Sequence, residues 1–168
     1  MRREKMRFYS GFDEDFSETA NQAFTLPEGY RFVQTDLGSR LLSGLIYGAA
    51  LAFFAVYCRL VLHMRVKGRA CLRGARSGFY IYGNHTQPFG DVFIPALCAF
   101  PWRIYTVFSP ANYGIPVIGK LLPFLGALPL ISSVHGYREL LRAMERRLDA
   151  GHPIVLYPEA HVRLSREV

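Results

Sequence analysis

Cysteine is scarce and scattered in this chain of 168 residues: Cys58, Cys71 and Cys98 form no Cys-x-x-Cys pair. That argues against a zinc ribbon or a disulfide framework and leaves free thiols in a reducing compartment as the expectation. No His-Glu-x-x-His occurs, and no zinc-finger or RNP-type motif accompanies the net charge of +7, so no nucleic-acid partner and no metal are expected. Acidic residues are missing from Arg59 through Ser77, where Arg59, Arg65, Lys67, Arg69, Arg73 and Arg76 stand alone. Charge is unevenly divided: residues 1–40 hold six Lys/Arg against seven Asp/Glu, and residues 41–168 hold fourteen against six. The basic surplus belongs to the second part.

What the chain has in plenty is apolar sequence. Leu41 to Cys58 is an uncharged run of eighteen residues, about 27 Å long as a helix and close to the roughly 30 Å hydrocarbon core of a bilayer. With Arg59 snorkelling, Leu60 to Leu62 extend it to about 33 Å. Gly44-x-x-x-Gly48 permits close helix packing. The run lies too far from the N-terminus, and lacks the small-residue cleavage pattern, for an ordinary secretory signal. It either spans a membrane or lies buried or interfacial against the domain. The basic cluster behind it places the domain on the cytoplasmic face in the first case and favours anionic headgroups in the second.

The organisation that follows is an N-terminal arm over 1–40, a membrane-associated helix over 41–63, and an α/β domain over 64–168. The arm, with Asp13-Glu14-Asp15-Phe16 and Leu26-Pro27-Glu28-Gly29, reads as loop. Phe79 to Tyr82 reads as a short buried strand, Val92 to Phe100 as a helix start, and Arg103 to Phe108 as a strand. Ile115 to Phe124 is an apolar segment broken by Pro116 and Pro123, and Leu128 to Ile131 is a short strand. Tyr137 to Ala150 is the clearest helix, with Leu140, Leu141, Met144 and Leu148 as one stripe and Gly151 as its stop. Pro153 to Tyr157 follows as a strand. Strand, helix, strand predicts a largely parallel sheet flanked by helices, which sets reactive groups beyond strand C-termini, where His85 and Glu159 fall.

The chemistry-bearing stretch is Gly83-Asn84-His85-Thr86-Gln87-Pro88-Phe89-Gly90-Asp91. Neutral imidazole takes a proton from a hydroxyl near pH 7, and a carboxylate behind it fixes its tautomer and stabilises the imidazolium. Such a pair suits acyl transfer to an alcohol. The plainer alternative is that His85 caps a turn and Asp91 caps the next helix. Glu159, after an apolar strand, fits a base, a metal ligand or a helix-start cap. A rival arrangement has His85, Asp91, Glu159 and His161 converge on a divalent metal in a hydrolase, without any local motif to support it. His63, His135 and His152 are expected at the surface.

Three blocks in order resemble the glycerolipid acyltransferases of the lysophosphatidic acid acyltransferase type, over roughly residues 64 to 163. Asn84-His85 to Asp91 resembles their Asn-His-x4-Asp block. Ile115-Pro116-Val117-Ile118-Gly119, leading to Gly126-Ala127-Leu128-Pro129-Leu130, resembles their Ile-Pro-x-x-Gly segment and the block after it. Tyr157-Pro158-Glu159 resembles the start of their Phe-Pro-Glu-Gly-Thr-Arg block. The resemblance implies transfer of a fatty acyl group from acyl-CoA or acyl carrier protein to a glycerolipid-like hydroxyl beside membrane lipids. No bound cofactor is implied. His85 and Asp91 would be catalytic, and Asn84, Thr86, Gly119, Glu159, His161 and Arg163 would bind substrate.

Four departures accompany it. Five residues, not four, separate His85 from Asp91, with Gly90 able to absorb the extra one as a bulge. The family's Asp-Arg falls on Ile131-Ser132, its Gly-Thr-Arg on Ala160-His161-Val162 with Arg163 one place late, and the chain stops short of the family's further Val-Pro segment. With the family's arginines displaced, an acceptor phosphate would fall to Arg163, Arg103 or Lys120, or the acceptor is a different alcohol. The alternative function is a non-catalytic lipid-binding protein on the same scaffold.

Overall fold

The computed structural model describes residues 26, 30, 32, 36–75, 77–84, 93–131 and 133–158. Among the described residues four short strands form one parallel sheet in the order β1-β4-β2-β3: β1 is Tyr80–Tyr82, β2 Tyr105–Phe108, β3 Ala127–Pro129 and β4 Ile154–Leu156. All three ladders are parallel, with Tyr82 opposite Leu156, Tyr105 opposite Ile154, and Thr106 opposite Ala127. Helices α1 (Leu37–Leu60), α2 (Ile94–Ala99), α3 (Ile118–Leu121) and α4 (Val134–Asp149) supply the connections and the cover. The expected α/β class with a parallel sheet, preceded by a long apolar helix, is what the described residues adopt.

Strand alternation sorts the core into two faces. Tyr105, Leu128 and Ile154 join Leu140, Ala143 and Met144 of α4 on one face; Val155 and Ile104 join Ala96 and Ala99 of α2 on the other, with Tyr47 and Leu51 of α1 packed behind. Leu128 is only 1% exposed, and burial of a side chain that size stabilises by roughly 1.5–3 kcal/mol.

Helix α4 begins earlier than its apolar stripe suggests, because the Ser133 hydroxyl accepts from the Gly136 amide and caps it. It stops at paired reverse bonds, Gly151 N–H to Leu148 O and His152 N–H to Arg147 O, with Gly151 at φ 79°. Two expectations are corrected here. Leu141 is 45% exposed and Ala143 takes its place in the core, since the helix turns 100° per residue and the face centres on Leu140, Ala143 and Met144. β1 is not a buried strand: among the described residues it pairs only with β4, and as an edge strand it leaves Tyr80 and Tyr82 exposed.

Helix α1 spans 24 residues, about 36 Å, and is long and apolar enough to cross a membrane. It is not free-standing. Ser43, Tyr47, Leu51, Phe54 and Cys58 recur at helical spacing as a single stripe against the domain, with Ser43 and Cys58 buried. Phe54 stacks on Phe93 with centroids 3.5 Å apart. Polar bonds lock the stripe: Ser43 Oγ donates to Phe124 O at 2.8 Å, Arg103 Nη2 donates to Ser43 Oγ at 2.6 Å and to Phe124 O at 2.7 Å, and Ile104 N–H donates to the Tyr47 hydroxyl at 3.2 Å. The opposite face leaves Leu41, Leu45, Phe53, Val56 and Leu60 exposed. Gly44 and Gly48 have nothing within 4 Å of a Cβ position, so no described element packs on them.

Candidate functional site

A parallel sheet sends every strand C-terminus to one edge, and β1 and β4 are neighbours there. The pairing continues one step beyond β1, where Gly83 N–H donates to Leu156 O at 3.2 Å. The segments ending at Asn84 and Pro158 therefore leave the same corner of the sheet side by side, though one follows the first strand and the other the last. Gly83 leaves room at this corner: a Cβ there would stand 2.9 Å from Cε1 of the Tyr157 ring, so a larger residue would push that ring from its place across the strand end. Tyr157 in turn packs against the core cluster of α2 and β4. Asn84 is exposed beside it.

In sequence, the residues expected to carry chemistry come after the two segments that end at this corner. His85, Thr86 and Asp91 follow Asn84, and Glu159, His161 and Arg163 follow Pro158; all six lie outside the described residues. The rival metal set of His85, Asp91, Glu159 and His161 lies outside them as well. Among the described residues no group of three or more His, Cys, Asp or Glu side chains is placed to hold a metal ion. Cys58, Cys71 and Cys98 are free thiols.

The Ile115 to Gly119 segment is described in full. It joins a 3-10 turn, Pro110–Gly114, to α3. Gly119 is buried, and a Cβ on it would overlap the Tyr113 carbonyl; the glycine lets the first turn of α3 lie directly on the preceding turn. Val117 is held at φ 66°, ψ −56°, with Ile118 N–H donating to Pro116 O at 2.7 Å. This is the positive-φ form of the γ-turn, rare for any residue and strained for a β-branched one. Strain of this kind costs about 1–3 kcal/mol and gathers at functional segments. Val117→Gly is expected to raise stability by about 1 kcal/mol after glycine's own entropic cost, read as a higher denaturation midpoint; an unchanged or lower midpoint would show that the turn stores no strain.

Arg103 and Lys120, the other cations expected to meet an acceptor phosphate, are placed differently. Lys120 is exposed on α3. Arg103 precedes β2 and so stands at the N-terminal edge of the sheet, opposite the corner of Asn84 and Pro158, engaged with Ser43 and Phe124. It does not serve the site at the strand C-termini. His152 is also not the surface histidine expected: it is partly buried, with its ring 5.4 Å from that of Tyr105.

No protein-family model, no curated protein and no solved structure matches the chain.

Proposed function

We propose that the chain is a membrane-attached O-acyltransferase that moves a fatty acyl group from acyl-CoA or acyl carrier protein to a hydroxyl of a glycerolipid-like acceptor. The observation that carries this reading is the adjacency of β1 and β4: the two blocks most similar to the glycerolipid acyltransferases begin at neighbouring strand ends, joined by the Gly83 to Leu156 bond. His85 takes the acceptor hydroxyl proton as that oxygen attacks the thioester carbonyl carbon, and Asp91 orients the imidazole. The tetrahedral intermediate then expels the thiolate, the C–S bond breaks, and the thiolate recovers the proton from His85. Asn84, Thr86, Gly119, Glu159, His161 and Arg163 position donor and acceptor.

Attachment rests on α1, whose outward face is apolar while its inner stripe holds the domain, and on the basic run from Arg59 to Arg76, which draws that docked helix to the anionic headgroups of the cytoplasmic leaflet. The protein is expected to sediment with membranes and to stay there through a wash at about 1 M salt, where the screening length falls to about 3 Å, because salt does not weaken apolar burial. Quantitative release by salt alone would show that the outer face of α1 is not in lipid.

The five-residue gap between His85 and Asp91 and the displaced arginines favour a second reading, a lipid-binding protein without turnover. An acyl-transfer assay with acyl-CoA and acyl carrier protein donors and a lysolipid acceptor decides between them. Donor- and acceptor-dependent product supports the enzyme; its absence from protein that still pellets with membranes supports the binding protein.

A further inference from the structure

At the N-terminal edge of the sheet, away from the corner of Asn84 and Pro158, lies a cavity of about 390 Å³ lined by three arginines, Arg40, Arg103 and Arg147, and by His152, with no carboxylate among its described lining residues. The arginines come from three separate elements. Arg40 is exposed in the first turn of α1, three residues before Ser43; Arg103 precedes β2; Arg147 is in the last turn of α4. The Arg147 guanidinium sits 4.3 Å over the Tyr105 ring and makes no hydrogen bond among the described residues, and the Nε atoms of both Arg103 and Arg147 are buried without a partner.

Buried guanidinium groups are ordinarily paired with an anion or fully hydrogen-bonded. Here neither condition is met, and like charges face one open volume. Burial, opposed by Tyr105, and then the charges of Arg103 and Arg40 hold the Arg147 pKa below its usual value; burial and the same Arg147 and Arg103 lower that of His152. The cavity therefore gathers positive charge with no carboxylate among its described lining residues to pair with it.

We propose that this cavity binds a phosphate monoester. A dianion with several acceptor oxygens matches converging guanidinium donors better than a single carboxylate does. Leu37 and Leu41 belong both to the cavity wall and to the exposed apolar face of α1, so the phosphate has an apolar track beside it, suited to a lipid that carries it. The site is separate from the proposed acyl transfer and does not depend on it.

Isothermal titration of the full chain in nonionic detergent tests this with three probes: monomeric dihexanoyl phosphatidic acid, inorganic phosphate, and dihexanoyl phosphatidylcholine, which has no net charge. At least one of the first two is expected to bind with a Kd of about 1 mM or tighter, and phosphatidylcholine not at all. Phosphatidic acid tighter than phosphate by about tenfold or more, some 1.4 kcal/mol, assigns the site to a lipid-borne phosphate; equal affinities assign it to the phosphate group alone. Arg147→Gln and Arg40→Gln should each weaken binding about tenfold, the cost of one charge-assisted pair. The Arg40 change sits on an exposed helical position and spares the core. Arg138→Gln, an exposed α4 residue that does not line the cavity, should leave the titration within about twofold. The proposal is overturned if neither phosphate probe binds, if phosphatidylcholine binds equally well, or if Arg40→Gln leaves affinity unchanged.

Discussion

His85→Ala is expected to lower acyl transfer by about 10² to 10⁴-fold, the usual contribution of a positioned general base and about 3–5 kcal/mol of barrier. Folding should be unaffected. The corner that leads to His85 is held by main-chain bonds of the β1 and β4 ladder and by the Tyr157 ring over Gly83, none of which uses the imidazole. The measurement is initial rate with both donors, alongside the denaturation midpoint. A variant that keeps its midpoint and loses turnover identifies the base; activity within about threefold of the parent would remove His85 from the reaction, because no lost base is that small. Asp91→Asn carried through the same assay separates an orienting carboxylate from a helix cap, since only the former changes rate at constant stability.

Gly119→Ala should produce the largest loss of stability of any single methyl addition in the described part of the Ile115 to Gly119 segment. The added Cβ meets the carbonyl of Tyr113, a main-chain atom of the Pro110–Gly114 turn that cannot rotate aside, so the two turns must separate. Overpacking of this kind costs about 1–3 kcal/mol, sometimes more, and at this chain length each kcal/mol lowers the melting midpoint by about 2–4 °C. Thermal unfolding reads it directly. A midpoint within about 1 °C of the parent would show that the turns tolerate separation. Measuring transfer per folded molecule adds the second half of the answer: if the segment also lines the acceptor path, the rate falls beyond what the unfolded fraction explains.

The elements readable in the sequence are those whose pattern is set by one neighbour. The α4 stripe is legible because Leu140 and Met144 face a single sheet surface, and the stop at Gly151 is written locally. The helix start was hidden in the Ser133 cap, a single hydroxyl contact. Position within the sheet is not legible at all: Phe-Tyr-Ile-Tyr has the composition of an inner strand, and only the ladder shows that it stands at an edge. The docking stripe of α1 is equally obscure, because every residue around it is apolar; Ser43, a polar residue in an apolar run, is the one hint. Arg103 shows the same limit from the other side, since its residue type announces an anion ligand but not the end of the sheet where it works.

The strand order has a consequence for how the molecule comes into being. β2 and β3 are close in the chain and can pair early, whereas Tyr80 finds its described partner only at Ile154. Closing a loop of that span costs chain entropy before any contact rewards it. The corner that brings Asn84 beside Pro158 thus depends on the most distant strand pairing in the described sheet, and during synthesis from the N-terminus it cannot exist until nearly the whole described chain has emerged. A shortened chain ending before Ile154 would still have residues for β2 and β3 but would leave β1 without its described partner.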